Sequence, residues 1–91
     1  MKYEIVPSNQ FKKDLKLAQK RGYDLDKIKK VLTALANGET LEAKYRDHLL
    51  TDDYGGYREC HIQPDWLLVY QIDGDQLILF LARTGTHSDL F

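Results

Sequence analysis

The chain is poor in the residues that staple, break or bury a polypeptide. It has one cysteine, one tryptophan, two prolines and six glycines in 91 residues. A lone Cys60 cannot close an internal disulfide, so the sequence predicts a reducing, cytoplasmic setting. So little proline and glycine excludes a collagen-like or low-complexity chain. Long apolar runs are missing as well. The longest, Leu77–Ala82, has six residues, where a bilayer span needs about 18–20. The opening Met-Lys-Tyr-Glu-Ile-Val-Pro-Ser lacks the apolar stretch of a secretory signal, so neither export nor a membrane partner is expected. No glycine-rich phosphate loop, serine nucleophile elbow or dinucleotide fingerprint occurs.

What is present suits one small globular domain over residues 1–91, because two cores would leave each half too small to fold. The composition is 43% hydrophobic and 30% charged, with a net charge of −1. That near-neutral total hides an asymmetry. Residues 1–46 carry eleven Lys/Arg and six Asp/Glu, while residues 47–91 carry two and eight. A cationic first half points to an anionic partner on one face, although lysine-rich helices also serve solubility.

Hydrophobic periodicity orders the chain. Lys2–Val6 alternates like a short strand, and Pro7 ends it because it has no N–H to donate. Ser8 or Asn9 caps a helix with Phe11, Leu15 and Ala18 on one stripe, stopped at Gly22. Asp24 caps a second helix with Leu25, Ile28, Val31, Leu32 and Leu35 inward, closed at Asn37-Gly38. Glu39–Gly56 shows little periodicity and reads as a loop packing Leu41 and Leu49. Three strands follow, Tyr57–Ile62, Trp66–Ile72 and Gln76–Arg83, with Asp73-Gly74 as the hairpin turn. The last two are apolar on both faces, which implies a central position. The expected fold is therefore α+β, a two-layer β-α-α-β-β-β sandwich, mostly antiparallel, with a helical hairpin on one face.

The polar residues collect on this frame. Alternation in Tyr57–Ile62 puts Tyr57, Glu59 and His61 on the open face, with Arg58, Cys60 and Ile62 on the other. Asp65 and Trp66 open the next strand, Arg83 ends the last, His87 lies in the exit loop and His48 in the loop before the meander. Imidazoles, a guanidinium and a carboxylate near strand ends and loops suit phosphoryl transfer, which needs proton transfer and stabilisation of negative charge. His48, His61, His87 and Asp65 are also competent zinc or manganese ligands, but their spacings match no zinc signature, and Cys60 and His61 point apart.

Four segments then carry a family resemblance: Gln10–Arg21, Tyr45–His48, Gly56–Trp66 and Arg83–Phe91. Together they resemble the YafQ-type toxins of the RelE/ParE superfamily of bacterial toxin–antitoxin systems, nearly end to end. The resemblance implies the RelE-like, microbial ribonuclease-like fold and a metal-independent endoribonuclease without cofactor. It would cut messenger RNA in the A site of the 70S ribosome. The 2′-hydroxyl would attack its own phosphate, leaving a 2′,3′-cyclic phosphate and a 5′-hydroxyl. On the same basis His87 matches the main catalytic histidine and Arg83 the phosphate-stabilising arginine. His48, His61 and Asp65 match further active-site positions, and Trp66 and Phe91 match nearby aromatic ones.

Lys12, Lys13, Lys16, Lys20 and Arg21 would contact ribosomal RNA phosphates. Trp66 and Phe91 would stack on a base, with packing at the rim of the core as the alternative for Trp66. The implied partner is a small dimeric DNA-binding antitoxin whose flexible tail folds onto the toxin. Operator DNA would be reached only through that complex. The competing readings are a ParE-like inhibitor of DNA gyrase and a metal-dependent nuclease.

Overall fold

A computed structural model describes residues 1–51 and 54–91. The elements run β1 (Glu4–Pro7), α1 (Asn9–Lys20), α2 (Leu25–Ala36), a single 3-10 turn (Ala43–Tyr45), β2 (His48–Leu49), β3 (Arg58–Gln63), β4 (Trp66–Asp73), β5 (Ile78–Gly85) and α3 (His87–Leu90). The sheet order is β1-β5-β4-β3-β2. β1 pairs with β5 in parallel and every other pair is antiparallel. The α+β sandwich with a helical hairpin is thus the observed architecture.

Local chemistry explains the helices. The Ser8 hydroxyl accepts from the Phe11 N–H and donates to the Ala82 carbonyl, so one side chain caps α1 and ties it to β5. The Asp24 carboxylate accepts from the Asp26 N–H at the head of α2. Both helices close on a glycine in the left-handed region, Gly22 at φ 80° and Gly38 at φ 79°, where a Cβ would be strained.

Burial separates two clusters. Phe11, Ala18, Ile28, Val31 and Leu35 pack on Cys60, Ile62, Trp66, Leu68, Tyr70, Leu79 and Leu81. Each fully buried aliphatic or aromatic side chain there contributes about 1.5–3 kcal/mol. The opposite face of β4 holds Leu67 and Val69, covered by Leu90 of α3 with Leu50, Tyr54, Tyr57 and Ala82 around them. This second, smaller core is why β4 is apolar on both faces.

Four expectations need correction. The loop predicted over 39–56 contains the 3-10 turn and β2, because His48 and Leu49 pair with Glu59 and Arg58. Leu49 does not pack: as an edge-strand residue it is 59% exposed, whereas Leu41 does rest on the core. The hairpin is longer than Asp73-Gly74. Asp73 accepts from the N–H groups of Asp75 and Gln76, Leu77 turns at φ 56°, and β5 starts only at Ile78. The exit loop after Arg83 is α3, whose capping box reciprocally joins Thr86 and Asp89.

Candidate active site

Three short connections bring the polar residues together at one end of the sheet. Cross-strand register sets His48 opposite Glu59 and His61 opposite Leu67, which in turn faces Gly85. The β3–β4 turn presents Asp65, and α3, starting two residues after Gly85, presents His87. Their ring centroids form a row, His48 to His61 at 6.4 Å and His61 to His87 at 5.7 Å.

Each imidazole is anchored through Nδ1. In His48 it lies 2.6 Å from the Arg46 carbonyl, in His61 3.3 Å from the Pro64 carbonyl, and in His87 3.0 Å from Asp65 Oδ1. Carbonyls and carboxylates accept only, so Nδ1 carries a proton in all three rings, and Nε2 of each ring faces the opposite way. The same Asp65 oxygen accepts from the His87 backbone N–H at 3.1 Å. These two hydrogen bonds from His87 hold the Asp65 carboxyl below the usual carboxylate range.

Glu59 is the residue that sequence reasoning put on this face but did not select. It is 5% exposed, and its Oε1 is 3.5 Å from Nε2 of both His48 and His61. A buried carboxylate shared by two imidazoles fixes their orientation. The signal was its place between Arg58 and Cys60 on the face that also carries His61.

Arg83 stands apart from this row. Its Nε and Nη2 donate to Asp14 at 2.7 and 3.2 Å, and Asp14 also accepts from the Thr84 N–H. Asp14, only 9% exposed, occupies the buried stripe of α1 three residues after Phe11. An acid at that helical position was the signal for an internal cationic partner. Asp14 takes Nε and one Nη2 hydrogen, Tyr54 also lies beside the guanidinium, and among the described residues Nη1 and the other Nη2 hydrogen make no hydrogen bond.

The aromatic and basic candidates divide. Trp66 is 1% exposed, packs on Tyr23 with centroids 4.9 Å apart and donates Nε1–H to Thr84 Oγ1 at 2.9 Å. It cannot stack on a base, because the core covers its ring, so the base-stacking expectation is corrected to a packing role. Phe91 is 61% exposed, edge-on to Tyr54 at 5.4 Å. Lys12, Lys13, Lys16 and Lys20 are exposed along α1. Arg21 is engaged in a two-point ion pair with Asp89, which ties the end of α1 to α3.

The sequence pattern of the family described as "Bacterial toxin of type II toxin-antitoxin system, YafQ" matches residues 3–91. The chain belongs to the YafQ family. An "mRNA interferase toxin YafQ" of Escherichia coli strain B / BL21-DE3 is 48% identical over 89 residues, covering 97% of this chain and 95% of that one. The E. coli DinJ-YafQ complex contains a chain that superposes with a TM-score of 0.89 at 46% identity, over 98% of each. A metal-bound toxin from Helicobacter pylori superposes with a TM-score of 0.92 at 47% identity, covering 98% of this chain and 99% of that one.

YafQ geometry in this chain also bears on metal. One ligand atom each from Glu59, His61 and His87 lies within 4.8 Å of the others. Two imidazoles and a carboxylate suit zinc or copper by donor type. Spacing along the chain could not reveal this set, which only the fold assembles. Cys60 stays out of it, buried in the core with its thiol pushed up to about 12 by desolvation.

Proposed function

We propose that this YafQ-family toxin is an endoribonuclease that cuts messenger RNA on the translating ribosome, with its own side chains supplying the acid and the base. The observation that carries the reading is the row of imidazoles whose Nδ1 atoms are all anchored, two of them with Nε2 on a buried carboxylate and the third held by Asp65. Cleavage by the 2′-hydroxyl needs a proton removed from that oxygen and one delivered to the leaving 5′-oxygen. Two groups of complementary protonation must therefore flank one phosphate.

His87 is the more exposed ring, and its Nε2 gives or takes one of these protons. Asp65 stays anionic through neutrality and is a positioning residue: it selects the tautomer and holds the ring, as a carboxylate does for other catalytic histidines. His61, with His48 behind it on Glu59, supplies the complementary proton transfer. Arg83 meets the developing charge on the non-bridging oxygens through the donors that Asp14 leaves free.

The same reading assigns the partners. A toxin of this family binds an antitoxin, here a small dimeric DNA-binding protein whose tail covers the site, and reaches operator DNA through that complex. The α1 lysines Lys12, Lys13, Lys16 and Lys20 face ribosomal RNA phosphates, and Phe91 offers a ring to a base. The site of action is the cytoplasm.

The test is cleavage of a defined message in a purified translation system, mapped by primer extension, with naked-RNA and ribosome-free controls. Ribosome-dependent cuts at A-site codons, ending in 2′,3′-cyclic phosphate and lost in His87→Ala, are expected. Absence of cuts with either protein would turn the reading to a gyrase-directed or purely binding toxin. Cuts abolished by EDTA would make the Glu59–His61–His87 set a working metal centre.

A further inference from the structure

A groove of about 530 Å³ lies between α2 and the segment carrying the 3-10 turn, lined by Lys27 and Lys30 on one wall, Lys44, Tyr45 and Arg46 on the other, and His61 and Gln63 at one side. Its volume falls within the roughly 300–1,000 Å³ range of small-ligand sites. Four of its lining residues are cations and none is an acid. Among the described residues only Lys44 has a carboxylate in reach, Glu42 at 3.9 Å, and both of those side chains are largely exposed. An exposed pair of that kind is worth little and leaves the lysine available.

Two features join this groove to the site described above. His61 lines the groove and also faces Glu59, so the groove opens onto the row of imidazoles. Arg46 adopts φ 50°, unusual for a side chain of its size, and the carbonyl of this strained residue is the acceptor that holds His48 Nδ1. A single turn of backbone therefore aims a cation into the groove and fixes a ring of the site. Tyr45 adds a half-buried aromatic face, with Lys44 Nζ 5.2 Å from its centroid.

We propose that this groove binds the single-stranded RNA segment adjoining the scissile phosphate, with Lys27, Lys30, Lys44 and Arg46 on successive phosphates and Tyr45 beside a base. The proposal rests on the ribonuclease reading. A cationic channel with an aromatic wall is how single strands are held without sequence preference. It supplies a base-facing ring on this side of the site, a role that buried Trp66 cannot fill. An acidic protein segment would seek the same cations, but it would make no use of the aromatic face that Tyr45 offers to a base.

The experiment is binding of a fluorescent oligoribonucleotide made uncleavable by a 2′-deoxy substitution at the cut, followed by anisotropy across a salt series. With Lys27→Ala/Lys30→Ala we expect affinity to fall on the order of tenfold and the salt slope to drop by about 0.7 for each phosphate no longer neutralised. Arg46→Gln and Lys44→Ala are expected to behave alike, and Lys29→Ala, on the same helix but outside the groove, to match the parent. Thermal melts of each variant separate weakened binding from a damaged fold, and Lys30→Glu gives a second, stronger reading at one site. Unchanged oligonucleotide binding in the folded groove variants overturns the proposal. Weakened antitoxin binding beside that result would assign the groove to an acidic antitoxin segment instead. The probe cannot be cut, so loss or retention of cleavage in His87→Ala tests the nuclease reading independently.

Discussion

Arg21 and Asp89 stand 68 residues apart and meet as a two-point ion pair, Nη1 to Oδ2 at 2.6 Å and Nη2 to Oδ1 at 3.2 Å. This pairing staples the end of α1 to α3, the four-residue helix that begins with His87. Asp89 closes the capping box on Thr86 from the same carboxylate. Gly85 makes the approach possible, since a Cβ there would lie 2.9 Å from Asp89 Oδ2. A helix of one turn has no stability of its own, so its position depends on such anchors.

The first prediction concerns that staple. Arg21→Ala should lower the turnover rate of cleavage by up to about 100-fold, because small displacements of a catalytic group are costly, while leaving substrate affinity nearly unchanged. The measurement is a split of kcat against KM in the translation system. A loss confined to KM would make Arg21 an RNA contact.

Acid pH offers a second test. Asp89 lies well below its ordinary value of 3.8 because of Arg21 and the Thr86 N–H, and Asp65 is lowered by His87. Groups lowered in the folded state add stability above the unfolded value, and that stability is lost as pH falls through the folded value. The α3 anchors should thus survive down to about pH 4 and release only below it. Amide spectra across an acid titration should show Thr86–Leu90 shifting below that point and not near neutrality.

Trp66 is predicted to matter for stability. Trp66→Ala should cost about 3–5 kcal/mol, as large aromatic truncations in packed cores do. It should also leave Thr84 without its indole donor. Denaturant unfolding measures this. Full stability with abolished RNA binding would restore the base-stacking role.

Glu59 yields a prediction about charge. Glu59→Gln keeps the shape but removes the anion 3.5 Å from His48 and His61 Nε2. Cleavage should fall by about 10²-fold, within the range for disturbed acid–base catalysis. Single-turnover rates on programmed ribosomes test it, and a rate matching the parent would make Glu59 a bystander.

Metal supplies the last prediction. If His61 and His87 serve as proton-transfer groups, zinc or copper added to the Glu59–His61–His87 set should inhibit by occupying the nitrogens they need, and EDTA should restore activity. His61→Ala should weaken that metal binding in calorimetry. Stimulation by the ion would indicate metal-assisted chemistry.

The sequence by itself determined the periodic and the capped. Phe11, Ala18, Ile28, Val31 and Leu35 recur at helical spacing, Ser8 and Asp24 start the helices, and the alternation of β3 puts Glu59 and His61 on one face. Those are local properties, readable from neighbours in the chain. It also marked His48, His61, Asp65 and His87 as one group through their places at strand ends and turns. Tertiary structure alone decided what each side chain touches. It committed Arg21 to Asp89, Arg83 to Asp14 and Trp66 to the core, and it joined Lys27, Lys30, Lys44 and Arg46 around one groove. These outcomes depend on meetings between residues far apart in the chain, and on β2, a two-residue strand that exists only because β3 offers it an edge. A free cation and a paired one have the same letter in a sequence; burial and partners distinguish them, and only the packed chain supplies both.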